Sequence, residues 1–291
     1  MTRRGGKNNK GTRWYLFLVI CLLFTVVLPA RAYVLQGPHL LLLMTESLGT
    51  ASSLVVHQRL LIYNDTEPDL PAEISETLTY RFSDVFRSES VSPRLNRIHV
   101  ETLDAAVTIF DDRISLQGET LLDRYIDPLL FRSRILLQKR LFDNGINPMV
   151  SSLGRFDGVP VYVLGSHYPD MSQPQLWLDK ETFLPIRLLI PDPDGQGDVP
   201  GLEFRYLQWQ KNRKLWYPMK VQCYRNDRLI REMIVEEMVM NPLIPEELFD
   251  IDQLRSRYEE ADVPENETPP VEVPSDIQRT LDDFKQRYEE Q

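Results

Sequence analysis

The chain has 291 residues, 42% of them hydrophobic, and a formal net charge of −10 at pH 7. This length allows one large domain or two small ones, each with its own core. The negative charge disfavours binding to nucleic acid or anionic membrane surfaces, because phosphate contacts need Lys and Arg. With only two cysteines, the chain is also excluded from the small secreted domains held together by several disulfides.

The N-terminus has the three parts of a secretory signal peptide. Five basic residues precede an apolar run from Trp14 to Leu28, which is followed by Pro29-Ala30-Arg31-Ala32. We predict a cleavable signal over residues 1–32, with cleavage after Ala32, because the apolar run is short for a bilayer-spanning helix. An uncleaved membrane anchor is the alternative. Cleavage would remove six basic residues and no acidic one, which gives the mature chain a formal charge of −16 and leaves Cys223 as its only cysteine.

The first part of the mature chain predicts a helix followed by strands. Pro38 at a first helical position and Gly49 as a stop predict a helix over 38–48. Alternation of apolar and polar residues predicts strands at 54–63, 77–87, 97–101 and 107–110, with a turn at Asp111-Asp112. This period of two is typical of an antiparallel sheet with one wetter face.

A helical insert over 119–145 interrupts the strands. Asp127-Pro128 predicts a helix start and Asn144-Gly145 a helix end. Between them, apolar and charged residues recur with the period of an amphipathic helix of about four turns. A short helical piece, Leu121 to Ile126, is expected to lead into it.

The second half of the chain predicts a β-meander. We expect strands at 159–165, 174–179, 185–190, 201–209, 214–224 and 228–239, joined by tight turns, and a loop at 151–154. The predicted fold is mainly β: a large antiparallel sheet of about ten strands, with two helical segments over an apolar side. Residues 251–291 form an acidic tail, rich in Pro and Glu from about Ala261, with a short helix expected at 275–290.

The sequence offers little that would carry catalysis or hold a metal. The four histidines lie in separate elements, and we find no nucleophile elbow, dinucleotide-binding motif or P-loop. Residues Asp192 to Glu203 resemble a twelve-residue calcium loop, but strand flanks and Pro200 favour an ordinary wide hairpin. We therefore expect no cofactor, no metal site and no enzymatic activity.

Two stretches carry a resemblance to a known family. The run from Trp177-Leu178-Asp179 to Leu184-Pro185-Ile186-Arg187 is similar to a hairpin of the periplasmic lipoprotein-carrier proteins, which sort lipoproteins to the outer membrane. Leu202 to Tyr206, Tyr217-Pro218 and Asn241 to Phe249 resemble that family's closing strands and exit motif. The resemblance implies, for residues 33–250, a curved, half-closed β-barrel whose concave side is covered by helices and holds acyl chains.

The same resemblance suggests where a ligand would bind. The family keeps a basic-Pro-x-x-aromatic stretch near the cavity mouth, and the nearest match here is Arg81 to Phe86, without the Pro and one residue longer. The expected ligand-binding residues are Arg81, Phe82, Phe86, Tyr80, Phe204, Tyr206 and Tyr217. From the residues alone, the aromatic side chains among them fit either a cavity lining or plain core.

The resemblance leaves two functions open. The first is an exported, periplasmic carrier or chaperone that binds the acyl chains of a lipoprotein or lipid. The alternative is a sister branch of the fold, an envelope-stress sensor that binds another envelope protein. The expected partners are therefore a lipidated protein or lipid acyl chains, and an inner- or outer-membrane protein, but no nucleic acid.

Overall fold

The computed structural model describes residues 34–64, 70–82, 84–93, 95–116, 118–191 and 201–261. The predicted signal peptide and its cleavage site, most of the calcium-like loop, and the tail after residue 261 lie outside these residues. No helix within the described ranges is long and apolar enough to cross a membrane.

Fourteen strands of the described chain form one curved, open sheet. Its first meander consists of β1 (Ser53–Ile62), β2 (Ala72–Arg81), β3 (Val85–Val91), β4 (Asn96–Glu101), β5 (Ala106–Phe110) and β6 (Arg113–Ile114). The second meander consists of β7 (Ser151–Phe156), β8 (Val159–Leu164), β9 (Gln175–Asp179), β10 (Pro185–Ile190), β11 (Leu202–Asn212), β12 (Leu215–Arg225) and β13 (Arg228–Met240). The short strand β14 (Glu259–Glu260) follows near the end of the described chain.

The two meanders join where β1 pairs with β13, so the first and last long strands lie side by side in the middle of the sheet. Every pairing is antiparallel except that of β14 with β6. Tight turns join neighbouring antiparallel strands. The four residues of Asp111-Asp112 and Asn226-Asp227 have positive φ, as two-residue hairpin turns require. The predicted antiparallel sheet is confirmed.

The structure corrects two of the predicted strand boundaries. Residues 77–87 are not one strand, because the chain reverses after Arg81 and β2 pairs with β3. Residues 151–154 are not a loop but the start of β7, an edge strand in which Ser151 pairs with Leu164. Its serines and glycine give a weak strand signal, and the pairing with β8 decides its conformation.

Helices cover one face of the sheet. They are α1 (Gly37–Leu48), a 3₁₀ helix (Leu121–Ile126), α2 (Asp127–Leu130) and α3 (Arg134–Asp143). Gly49 ends α1 as predicted, with φ of 81°, where the backbone of Lys214 leaves no room for a side chain. The single helix predicted over 127–144 is wrong: Phe131 is extended and the helix breaks there.

We call the covered face the inner face; it carries Leu78 and Tyr80 of β2, both fully buried. The opposite, outer face is covered only locally. Near β3 to β6 it packs against a 3₁₀ helix (Glu246–Phe249) and α4 (Ile251–Arg257). The folded body therefore extends beyond residue 250.

The expected wetter face of β4 is buried. His99 is 0% exposed and Glu101 3% exposed, because the helical insert covers them, while Val100 on the other side is 0% exposed under α4. Polar alternation in β4 therefore reflects a buried charge network and not contact with water.

Candidate functional site

Four of the predicted ligand residues form one aromatic cluster on the inner face. Tyr80 stacks on Phe82 with ring centroids 5.4 Å apart and lies 5.1 Å from Phe86, its cross-strand partner. The hydroxyls of Tyr80 and Tyr217 are 2.7 Å apart and hydrogen-bonded. The structure thus brings together, through the β2–β3 hairpin and β12, residues that lie far apart in sequence.

Phe204 and Tyr206 lie on the same face of β11 and contact the helical insert. The Tyr206 hydroxyl donates to the Tyr125 carbonyl at 2.9 Å, and the Tyr125 ring is 6.1 Å from that of Phe204. Both side chains are almost fully buried. They join the insert to the second meander.

Arg81 is separated from the other predicted residues. It follows Tyr80 in β2 and so points to the outer face. There its guanidinium lies 5.1 Å from the Phe249 ring centroid and 3.7 Å from the Glu246 carboxylate. In this arrangement Arg81 holds the C-terminal 3₁₀ helix rather than facing the aromatic cluster.

A buried polar network lies beside the aromatic cluster, on the inner face of the first meander. Gln58 donates to Glu76 at 2.6 Å and to the Tyr125 hydroxyl at 3.3 Å, and Ser90 donates to Glu76 at 2.9 Å. Nearby, Arg97 forms an ion pair of 2.7 Å with Asp123 at the start of the insert. These contacts hold the insert against the sheet by polar bonds.

A second group of charges fixes the insert at β4. Arg140 of α3 lies 2.7 Å from Glu101 and 2.9 Å from Asp127, and it also contacts Glu119. Burial raises the pKa of Glu101 and of Glu119 to about 7; the neighbouring carboxylates add to this rise and Arg140 opposes it. These carboxyls are therefore balanced between the neutral and charged forms near neutral pH.

The three carboxylates of this group, Glu101, Glu119 and Asp127, are close enough together to resemble a metal site. Their oxygens lie within 4.8 Å of one another, and such oxygens are the ligands of hard cations. However, the Arg140 guanidinium already contacts all three and occupies the place of a cation. The arrangement is that of a buried ion-pair cluster.

Sequence reasoning missed Arg132 as a candidate site residue. It lies at the break between α2 and α3, where its guanidinium carbon is 4.6 Å from the Phe82 ring centroid. The prediction of one continuous amphipathic helix assigned Arg132 to the polar face. No local sequence signal marks the break in the helix, because it depends on the packing of Phe131, which is 3% exposed.

No family model and no curated protein sequence matches this chain. Solved structures do match in shape. An outer membrane lipoprotein-sorting protein domain from Vibrio parahaemolyticus has a TM-score of 0.53 and 11% identity, over 75% of this chain and 97% of that one. A LolA superfamily protein from Nitrosomonas europaea also has a TM-score of 0.53, at 12% identity, over 75% and 99% of the two chains. The chain has the LolA-like fold.

A third structure with the same shape is a DUF1329 family protein from Desulfovibrio piger, with a TM-score of 0.53 and 13% identity over 75% of this chain and 98% of that one. The LolA-like fold confirms the predicted half-closed barrel with helices on its concave side. The aromatic cluster of Tyr80, Phe82, Phe86 and Tyr217 lies on that side of the LolA-like sheet.

Proposed function

We propose that this protein is an exported, periplasmic carrier or chaperone that binds the acyl chains of a lipoprotein or lipid between its sheet and its covering helices. The observation that carries the proposal is the inner face itself. A large aromatic and aliphatic surface is sealed by α1 and the insert, and not by a second sheet. The LolA-like fold and the signal-like N-terminus support the same reading.

The driving force for binding would be apolar burial. Each buried methylene contributes about 0.8 kcal/mol, so one acyl chain supplies useful affinity without a polar motif. The inner-face aromatics are closed off, with Tyr80 and Phe204 both 0% exposed. Entry of a chain therefore requires α1 or the insert to move away from the sheet, and their return would expel it.

Non-enzymatic function is supported by how the buried polar groups are used. Asp123 and Arg140 pair with side chains across the boundary between the insert and the sheet, and Glu76 accepts hydrogen bonds within the sheet. These groups hold elements of the fold together.

Native mass spectrometry of the secreted protein, purified without detergent, tests the proposal. We expect an added mass that disappears on organic extraction and returns with lipopeptide or phospholipid. Phe82→Ala should weaken rebinding several-fold, since it removes part of the aromatic surface, whereas Phe142→Ala should not, because Phe142 is 68% exposed on α3. A delipidated protein that binds no acylated probe would refute the carrier function.

A second candidate is a regulatory module that binds another envelope protein. It is favoured by the closed inner face and by β7, which pairs on one side only among the described strands and whose other edge could pair with an added strand. Co-purification of a stoichiometric protein partner with an empty inner face would select this function over the first.

A further inference from the structure

Arg132 carries a buried charge that has no counter-ion among the residues that the structure describes. Its Nε donates to the Leu129 carbonyl at 2.7 Å, but Nη1 and Nη2 are buried and have no hydrogen-bond partner among the described residues. A buried guanidinium without partners is costly, since it has lost its hydration. Buried polar groups in native proteins nearly always have partners, so this one requires an explanation.

Two of the other arginines of the inner face are compensated. Arg97 pairs with Asp123 and Arg140 with three carboxylates. Arg132, by contrast, forms no ion pair with a carboxylate in the part of the chain that the structure describes. The hydroxyls of Tyr80 and Tyr217 lie close enough to influence the pKa of Arg132.

Those hydroxyls are donors as well. Burial raises the pKa of both tyrosines, so both stay protonated at neutral pH. Since one hydroxyl donates to the other across 2.7 Å, the second proton of the pair is free to donate elsewhere. Burial lowers the pKa of Arg132 to about 10, so its guanidinium is still charged at pH 7.

The surroundings of Arg132 are aromatic. Its guanidinium lies over the Phe82 ring, and Phe82 stacks on Tyr80, which contacts Phe86. A cationic donor group therefore sits at the border of the apolar inner face. This is the arrangement that an amphiphile needs: a charged head against the guanidinium and a hydrocarbon chain along the aromatic side chains.

We propose that Arg132, with the Tyr80–Tyr217 hydroxyl pair, binds the oxyanionic headgroup of an acylated ligand. Carboxylate and phosphate both match the fork of a guanidinium, which can donate two parallel hydrogen bonds to either. The inference rests on the proposed carrier function and adds the ligand class: an anionic amphiphile rather than a neutral lipid. The ligand would supply the negative charge that the described residues do not place beside Arg132.

The test compares four probes on the delipidated full-length secreted protein at pH 7.5. They are palmitate, palmitoyl-lysophosphatidylglycerol, monopalmitoylglycerol and inorganic phosphate, and Kd is measured by isothermal titration calorimetry. We expect both anionic amphiphiles to bind about tenfold or more tightly than the neutral one. Arg132→Met should abolish this preference and leave the affinity for monopalmitoylglycerol unchanged, whereas Arg132→Lys should keep part of it.

Arg134→Met is the matched control, because Arg134 is exposed in the first turn of α3. A separate readout guards against misfolding: Arg132→Met should have a Tm equal to or above that of the wild type without ligand, because it removes an uncompensated buried charge. Equal binding of anionic and neutral probes, unaffected by Arg132→Met, would overturn the inference and leave the carrier function standing. Binding of inorganic phosphate alone would also overturn it, as would failure of all four probes, which counts against the carrier function too.

Discussion

At the scale of single residues, the Tyr80–Tyr217 pair links the two meanders across the inner face. Each side chain is at most 2% exposed, and their hydroxyls are 2.7 Å apart. Tyr217→Phe should lower the free energy of unfolding by about 1–3 kcal/mol, because it leaves the Tyr80 hydroxyl buried without this partner. Urea denaturation measures the change.

The double variant Tyr80→Phe/Tyr217→Phe is the control for this prediction. It removes both polar groups at once, so it should be less destabilising than either single variant. If the losses in the free energy of unfolding from the two single substitutions simply add in the double variant, the two hydroxyls have no coupling energy.

At the scale of elements, α4 stabilises the outer face of the first meander. Ile251 and Leu254 are 8% and 7% exposed and pack with Val100, Val107 and Ile109. A chain ending after residue 250 should therefore unfold at lower urea concentration than one ending after residue 261, by about 2 kcal/mol or more in free energy. The chain ending after residue 261 should match the full chain, since the remaining tail is rich in Pro and Glu and poor in apolar residues.

Substitution of one side chain offers a milder version of the same test. Leu254→Ala should lower the free energy of unfolding by about 2 kcal/mol or more. Gln253→Ala, at an exposed position of the same helix, should have little effect. Equal stability of all these proteins would mean that α4 does not contribute to the folded core.

At the scale of the whole molecule, the Arg140 cluster should make stability depend on pH. Burial and neighbouring carboxylates raise the pKa of Glu101 and Glu119 from 4.5 to about 7. Between these values the folded state binds more protons than the unfolded state, so this contribution is full below pH 4.5 and is lost as the pH rises through 7. The groups that face the pair are Asp123, Asp127, Arg124, Arg140 and His99.

Burial lowers the pKa of His99, which acts in the opposite direction, so the comparison must isolate the glutamates. From pH 5 to pH 8 the wild type should lose stability relative to Glu119→Gln, by on the order of 1–3 kcal/mol. Glu73→Gln, whose side chain is 55% exposed in the wild type, should follow the wild type. Urea denaturation across this pH range measures both, and a wild type that gains stability relative to Glu119→Gln would contradict the prediction.

Much of the fold follows from local patterns in the sequence. Residues 214–224 predict a strand with one apolar side, formed by Leu215, Tyr217, Met219, Val221 and Cys223. In β12 all of these side chains are buried except that of Met219, which is half-buried. Alternation of this kind, together with turn residues such as Asn226-Asp227, depends only on neighbours in the chain. Such signals suffice for an antiparallel sheet with covering helices.

The sequence by itself determined the sheet class and the helix stop at Gly49, and its alternation put aromatic residues such as Tyr80 and Tyr217 on the apolar faces of strands. Only the tertiary structure decided which of them meet, because Tyr80 and Tyr217 are distant in sequence. It also decided that His99 and Glu101 are buried and Arg97 partly so. The sequence does not show whether a polar side chain is hydrogen-bonded to water or to the insert. The break at Phe131, which places Arg132 over Phe82, likewise depends on packing across the sheet and not on local propensity.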